Sequence, residues 1–260
     1  MTIENKIVPI VNDVIKTYKL EYPLDLDSFV DKLRIELKFV DTGKSDGYFL
    51  CYNGRKKILI DKNCSVKTRR NFTIGHELGH YFIEDHLKPI YDCNVNGDGY
   101  YNSCDIVNKV YEKEADAFSA EIILPTSIFL KTKVDTIEKI RTLSSIYGLS
   151  IPASAIKMMK NEEEPMAFGC AINGRIKWIT SSIGETEHCV GFLKGCRLPS
   201  TSSVFRNIGE TGKSEISAFG WVKSEYQDGT IEEEFLRFKQ YNTIYFLLKL
   251  TKLYNQYGLY

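Results

Sequence analysis

His76-Glu77-Leu78-Gly79-His80 is the stretch that decides what kind of fold this chain can have. It lies between Arg69-Arg70-Asn71-Phe72-Thr73-Ile74-Gly75 and Tyr81-Phe82-Ile83. Phe72, Leu78 and Phe82 bracket the histidines with apolar residues, as a half-buried helix requires. Two imidazoles four residues apart stand one helical turn above each other and can reach a single metal ion. A Glu beside the first His then lies close enough to take a proton from a water held by that ion, which is the working core of a zinc hydrolase. The chain has only four histidines, so this spacing is a specific signal. The bland account is a core helix whose histidines merely find hydrogen bonds, and it would bury a Glu and two His at a high desolvation cost unless each is paired. Gly79 costs about 1 kcal/mol relative to Ala inside a helix, which is tolerable where another backbone passes close by.

A catalytic zinc needs a third protein ligand and an open position. The run Val110-Tyr111-Glu112-Lys113-Glu114-Ala115-Asp116-Ala117-Phe118-Ser119-Ala120-Glu121-Ile122-Ile123-Leu124-Pro125 reads as a second helix ended by a proline. Glu112 and Asp116 are one turn apart, so one face can supply a ligand carboxylate and a second carboxylate that orients a histidine through its free N–H. Glu114 falls about 200° around the helix from Glu112 and reads as surface charge. His86 stands where another zinc-site pattern places a third histidine, but Ile83 occupies the position of the glycine that would let the chain turn there. On an unbroken helix His86 would face away from His80, roughly 240° around the axis.

His-Glu-Leu-Gly-His-Tyr at 76–81, followed by Glu-x-x-Ala-Asp-x-Phe-x-Ala-x-Ile-Ile-Leu-Pro, where the Ala is Ala115 and the Asp is Asp116, resembles the ImmA/IrrE family of metallopeptidases. The resemblance implies a gluzincin-type site with His76, His80 and Glu112 as zinc ligands, Glu77 as general base and Asp116 as the partner behind a ligand. It further implies a substrate that is a helix-turn-helix transcriptional repressor, cut at one site in a stress-response or mobile-element switch. Two other classes stay open: a low-turnover regulatory or binding protein that keeps the peptidase fold, and a DNA-associated transcription regulator. Tyr81, Tyr100, Tyr101 and Tyr111 are candidate oxyanion stabilisers, and no substrate-binding residue can be assigned.

Upstream, Tyr48 to Asp61 reads as a hairpin around Asn53-Gly54, a pair suited to a two-residue turn with positive φ. The segment Tyr52 to Asp61 is a candidate edge strand on which an extended substrate could pair, or an ordinary sheet edge. Between the two helices of the site, Asn94, Asn96, Asp98, Asn102 and Asp105 place oxygen atoms at the first, third, fifth, ninth and twelfth positions of a loop with Gly99 sixth. This resembles an EF-hand or dockerin calcium loop, although Asn leads and Asp closes it, so that two carboxylates face the ion. The alternative is an Asn/Gly/Asp turn cluster.

Composition bounds the rest. Lys plus Arg and Asp plus Glu are 34 each in 260 residues, which gives no overall attraction to nucleic acid or anionic membranes. The N-terminus lacks the basic and apolar regions of a signal peptide, and no apolar run is long enough to span a bilayer. Seven cysteines without a C-x-x-C spacing read as reduced thiols of a cytoplasmic protein. The expected class is α+β, in three parts. Residues 1–132 form a small zincin-like metallopeptidase domain, 133–163 a helical helix-turn-helix-like unit, and 164–260 a β-rich C-terminal domain. In the helical unit only Lys157 and Lys160 sit on the would-be recognition helix, near its end, where base readout would want Arg, Asn or Gln at the start; a packing module is favoured over DNA binding. The C-terminal part shows hairpin signals at Asn173-Gly174 and Asp228-Gly229, while Thr243 to Leu250 suits either a closing strand or a buried helix. Phe168, Trp178, Phe219, Trp221, Phe235 and Phe246 read as core.

Overall fold

The computed structural model describes residues 2–43, 45–87, 104–132, 134–182, 186, 190 and 193–257. The chain is of the mixed α+β class and divides into two compact units, Met1–Thr132 with Leu143–Ser150, and Lys133–Thr142 with Ile151–Tyr260.

The first unit opens with α1, Ile3–Tyr18, which is capped by the Thr2 hydroxyl and buries Ile7, Val11 and Val14. Helix α2, Leu26–Lys32, starts where the Asp25 carboxylate accepts from the backbone N–H groups of Asp27 and Ser28, the capping expected of an acidic residue at that position. Three strands follow: β1 (Glu36–Val40), β2 (Gly47–Tyr52) and β3 (Arg55–Asp61). Asn53 and Gly54 take φ of 48° and 73°, the twist a two-residue hairpin demands. The sheet order is β1-β3-β2, with β1 parallel and β2 antiparallel to β3. This corrects the expected edge. Strand β3 is paired on both sides and has no free backbone to offer, and the open edge of the hairpin is β2.

Helices α3 (Lys67–Phe82) and α4 (Cys104–Ile123) form the heart of the unit. Their crossing is close because small residues face each other one turn apart on both helices. A Cβ added at Gly79 would lie 2.9 Å from the Ala115 Cα, and one at Gly75 would lie 3.1 Å from the Ser119 Cα. The glycine of the His-Glu-Leu-Gly-His run is thus accounted for by the helix beside it. The Ser119 hydroxyl donates to the Phe72 carbonyl at 2.7 Å across the crossing, while Ile74, Leu78, Phe118 and Ile122 fill the core around it. At Ile83 the backbone becomes extended and α3 stops; a 3-10 turn, Glu84–Leu87, follows. Of the calcium-loop residues, Asn94, Asn96, Asp98 and Asn102 lie outside the described residues, and Asp105 is placed only by the backbone of the first turn of α4. Helix α5, Thr126–Phe129, follows Pro125.

Helices α6 (Ile137–Tyr147) and α7 (Ile151–Asn161) are joined through Gly148, whose φ is 72°. The second unit carries an antiparallel sheet of order β5-β4-β8-β7-β6, made of β4 (Met166–Ile172), β5 (Arg175–Ser181), β6 (Thr211–Ser217), β7 (Thr230–Phe238) and β8 (Thr243–Lys249). A C-terminal helix, Thr251–Tyr257, follows. Asn173-Gly174 makes the expected two-residue turn, and Thr243 to Lys249 is a strand. Asp228-Gly229 does not make a hairpin of its own. It closes a longer excursion between β6 and β7 that delivers Trp221 and Val222 into the core, both with no exposed surface. Gly169 lies under the Phe246 ring and Gly212 under the Phe235 ring, each pair being cross-strand partners, so the phenyl rings cover positions where a side chain would clash. Phe168 is buried on the other face of the sheet, against the partly buried Trp178, whereas Phe219, expected in the core, is 59% exposed because it sits on the outside of the same excursion.

Among the described residues no helix is long and apolar enough to cross a membrane. Of the cysteines, Cys51, Cys64, Cys170 and Cys196 are free thiols.

Candidate metal centre

Helix α3 presents His76 and His80 one turn apart, and α4 brings Glu112 against them. The His76 Nε2 lies 3.1 Å from the His80 Nε2 and 3.1 Å from the Glu112 Oε2, and the His80 Nε2 lies 3.5 Å from the Glu112 Oε1. These three residues form a group able to hold a metal ion. Donor atoms about 2.0–2.1 Å from a tetrahedral ion stand roughly 3.3–3.4 Å apart, so the observed separations suit zinc. The chemistry of the donors agrees. The His76 Nδ1–H donates to the Asp116 Oδ1 at 2.9 Å, which leaves the Nε2 lone pair aimed at Glu112 and His80. Lone pairs and a carboxylate oxygen gathered this closely repel one another unless a proton or a metal cation lies among them. The histidines are largely covered while Glu112 and Asp116 face solvent, which leaves a side of the group open to water.

Glu77 sits beside this group and is buried. Burial, with the Glu112 charge adding to it, pushes its carboxyl up to about 7, against the opposing pull of His76 and of a hydrogen bond from the Phe49 backbone N–H. That N–H belongs to β2. The strand can come so near because residue 47 is glycine: a Cβ there would meet the Thr73 Cγ2 at 2.6 Å and the Glu77 Oε1 at 3.2 Å. Burial, aided by the neighbouring His76 and His86, holds His80 down to about 4, so it is a neutral imidazole at neutral pH. Burial also works to lower His76, but the Asp116 hydrogen bond and the charges of Glu77, Asp116 and Glu112 outweigh it and raise the group. The same negative charge that favours a proton on His76 favours a metal cation.

Two residues stand elsewhere than the sequence suggested. Glu114 is buried, with its Oε2 3.0 Å from the His86 Nε2 and 2.8 Å from the Lys6 Nζ of α1. The helical angle from Glu112 is as expected, but that face of α4 is covered rather than wet. His86 does not face away from His80, because α3 ends before it; its Nδ1 lies 3.0 Å from the His80 Nδ1, on the side of the ring opposite the metal group. No glycine or proline marks the break at Ile83, so no local signal announces it. The part played by Gly47 and the Phe49 N–H had no sequence signal either, since backbone donors carry no residue identity. Of the tyrosine candidates, Tyr81 accepts from the Lys56 Nζ at 3.0 Å, Tyr111 packs on the His86 ring with centroids 4.4 Å apart, and Tyr100 and Tyr101 lie outside the described residues.

The family described as Peptidase_M78, IrrE N-terminal-like domain, matches residues 30–159, half of the chain. The chain belongs to the IrrE N-terminal-like family. The match spans the three-stranded sheet, α3 and α4, and therefore both sources of the metal group. This IrrE-like chain is also similar to a solved structure described as a Mycobacterium tuberculosis transcriptional regulator, with a TM-score of 0.53 and 12% identity over 90% of this chain and 73% of that one. At that identity the likeness is one of fold. No curated protein sequence matches the chain.

Proposed function

We propose that this IrrE-like protein is a zinc-dependent endopeptidase in which His76, His80 and Glu112 hold the ion, Glu77 is the general base and Asp116 orients His76. The observation that carries this reading is the convergence of three donor atoms from two helices, at tetrahedral spacing, beside a buried carboxylate. Bound there, zinc would supply Lewis acidity to the scissile carbonyl and make a nearby water more acidic. Glu77 accepts the proton of the attacking water and returns it to the leaving amine, a task suited to a buried carboxyl beside the metal group. The Phe49 N–H holds that carboxylate in place. Substrate enters as an extended segment along the open edge of β2, by strand addition. Its source is a helix-turn-helix repressor, cleaved in the cytoplasm.

Glu77→Gln tests the assignment. The variant should bind one zinc per chain as the parent does and lose cleavage of a co-expressed helix-turn-helix repressor by at least 100-fold. Undiminished cleavage would remove Glu77 from the mechanism.

The description of the structural neighbour as a transcriptional regulator favours a second reading, a DNA-associated transcription regulator that retains the peptidase fold. Lys157, one of the two cations on α7 available for it, is buried, as are Ser154, Ala155, Met158 and Met159 of the same helix. DNA affinity that falls steeply as salt rises would support that reading over the peptidase.

A further inference from the structure

We infer that His86, anchored by Glu114, is a positioning residue that sets the tautomer of His80 and so aims its Nε2 lone pair at the metal. The inference rests on the proposed metal role of His80. It follows from donors and acceptors alone. A metal-binding His80 must keep Nε2 bare and carry its proton on Nδ1. That Nδ1 faces the His86 Nδ1 at 3.0 Å, which must then accept. A neutral imidazole that accepts at Nδ1 donates at Nε2, and the atom facing the His86 Nε2 is the Glu114 Oε2, an obligate acceptor, at 3.0 Å. The polarity is therefore consistent from end to end: Glu114 accepts from His86, His86 accepts from His80, and His80 offers its remaining lone pair to the site. The reverse polarity would need His86 to donate from both nitrogens and would put a proton on the His80 Nε2, where it would hydrogen-bond to the His76 Nε2 3.1 Å away and keep both nitrogens from a metal ion.

Two further contacts hold the chain of bonds in this state. The Lys6 ammonium, 2.8 Å from the same Glu114 oxygen, balances the carboxylate charge and removes the need for a second proton on His86. The Tyr111 ring packs on the His86 ring and fixes its plane. The two metal histidines are thus oriented by different devices: His76 directly by a solvent-facing carboxylate, and His80 through a second histidine by a buried one.

The test compares the full-length parent with His86→Leu and His86→Gln. A glutamine carries a carbonyl to accept from His80 and an amide N–H to donate to Glu114, whereas leucine carries neither. Leucine leaves Glu114 paired with Lys6, so the variant should fold. Zinc affinity measured by chelator competition should fall roughly 10–100-fold in His86→Leu, the usual cost of losing a group behind a ligand, and recover to within a few-fold of the parent in His86→Gln. If the parent binds zinc through His76, His80 and Glu112 but His86→Leu binds as tightly, or His86→Gln binds no better than His86→Leu, the positioning role is overturned and the metal site stands. A parent that binds no zinc overturns both.

Discussion

At the scale of single residues, the candidate metal group depends on what lies behind each proposed ligand as much as on the proposed ligands themselves. Asp116 donates nothing to the ion in the proposed arrangement, yet it holds the His76 Nδ1–H at 2.9 Å and so frees Nε2. Asp116→Ala is expected to weaken zinc binding roughly 10–100-fold in chelator competition, with little effect on the melting of the metal-free protein because the side chain is half-exposed. The pairing of Glu112 and Asp116 was legible from their i, i+4 spacing. Glu114 was not, for a physical reason: periodicity fixes the angle a side chain takes around its own helix and says nothing about which other segment covers that angle. Here the covering atoms come from Lys6 and His86, 108 and 28 residues away.

At the scale of elements, the site depends on how closely α3 and α4 cross. Gly75 and Gly79 on one helix, and Ala115 and Ser119 on the other, let the backbones meet where larger residues would hold them apart. Gly79→Val should destabilise the protein by about 1–3 kcal/mol, the usual cost of overpacking, against a gain in helix propensity of only a few tenths. Its zinc affinity should fall as well, since Glu112 lies on the displaced helix. Thermal melting with and without zinc measures both, and an unchanged melting temperature would mean that the crossing has slack. The need of Gly79 for a close neighbour was legible in the sequence, because a glycine inside an apolar helix gives up helix stability that a closely packed partner can restore. The edge strand was misplaced for the opposite reason. The pattern of β3 describes its two faces, but only pairing with β1, a strand outside the hairpin, makes it central and leaves β2 as the open edge.

At the scale of the whole molecule, the metal group belongs entirely to one of the two compact units, the one built mainly from Met1–Thr132. A ligand that binds only the folded state stabilises it by about 2.7 kcal/mol at one hundred times its Kd. Calorimetry of the full chain should therefore show zinc raising the transition of that unit, and chelation should reverse the shift. Phe246→Ala should instead lower the other transition by about 3–5 kcal/mol, because Phe246 is fully buried in the core of the second unit. Equal shifts of all transitions by zinc would mean that the units do not unfold separately.

What the sequence alone determined was local. The helix that carries His76, Glu77 and His80, the i, i+4 carboxylates of α4, the Asn53-Gly54 and Asn173-Gly174 turns and the α+β class all follow from spacings within about a dozen residues, where chain geometry leaves few choices. Only the tertiary structure decided that Glu112 reaches the histidines, that β2 is the free edge whose Phe49 N–H meets Glu77, and that Lys6, Glu114 and His86 stand in line behind His80. Those contacts join segments far apart in the chain, and their geometry is set by how side chains fill the space between packed elements, a quantity that no single stretch of sequence contains.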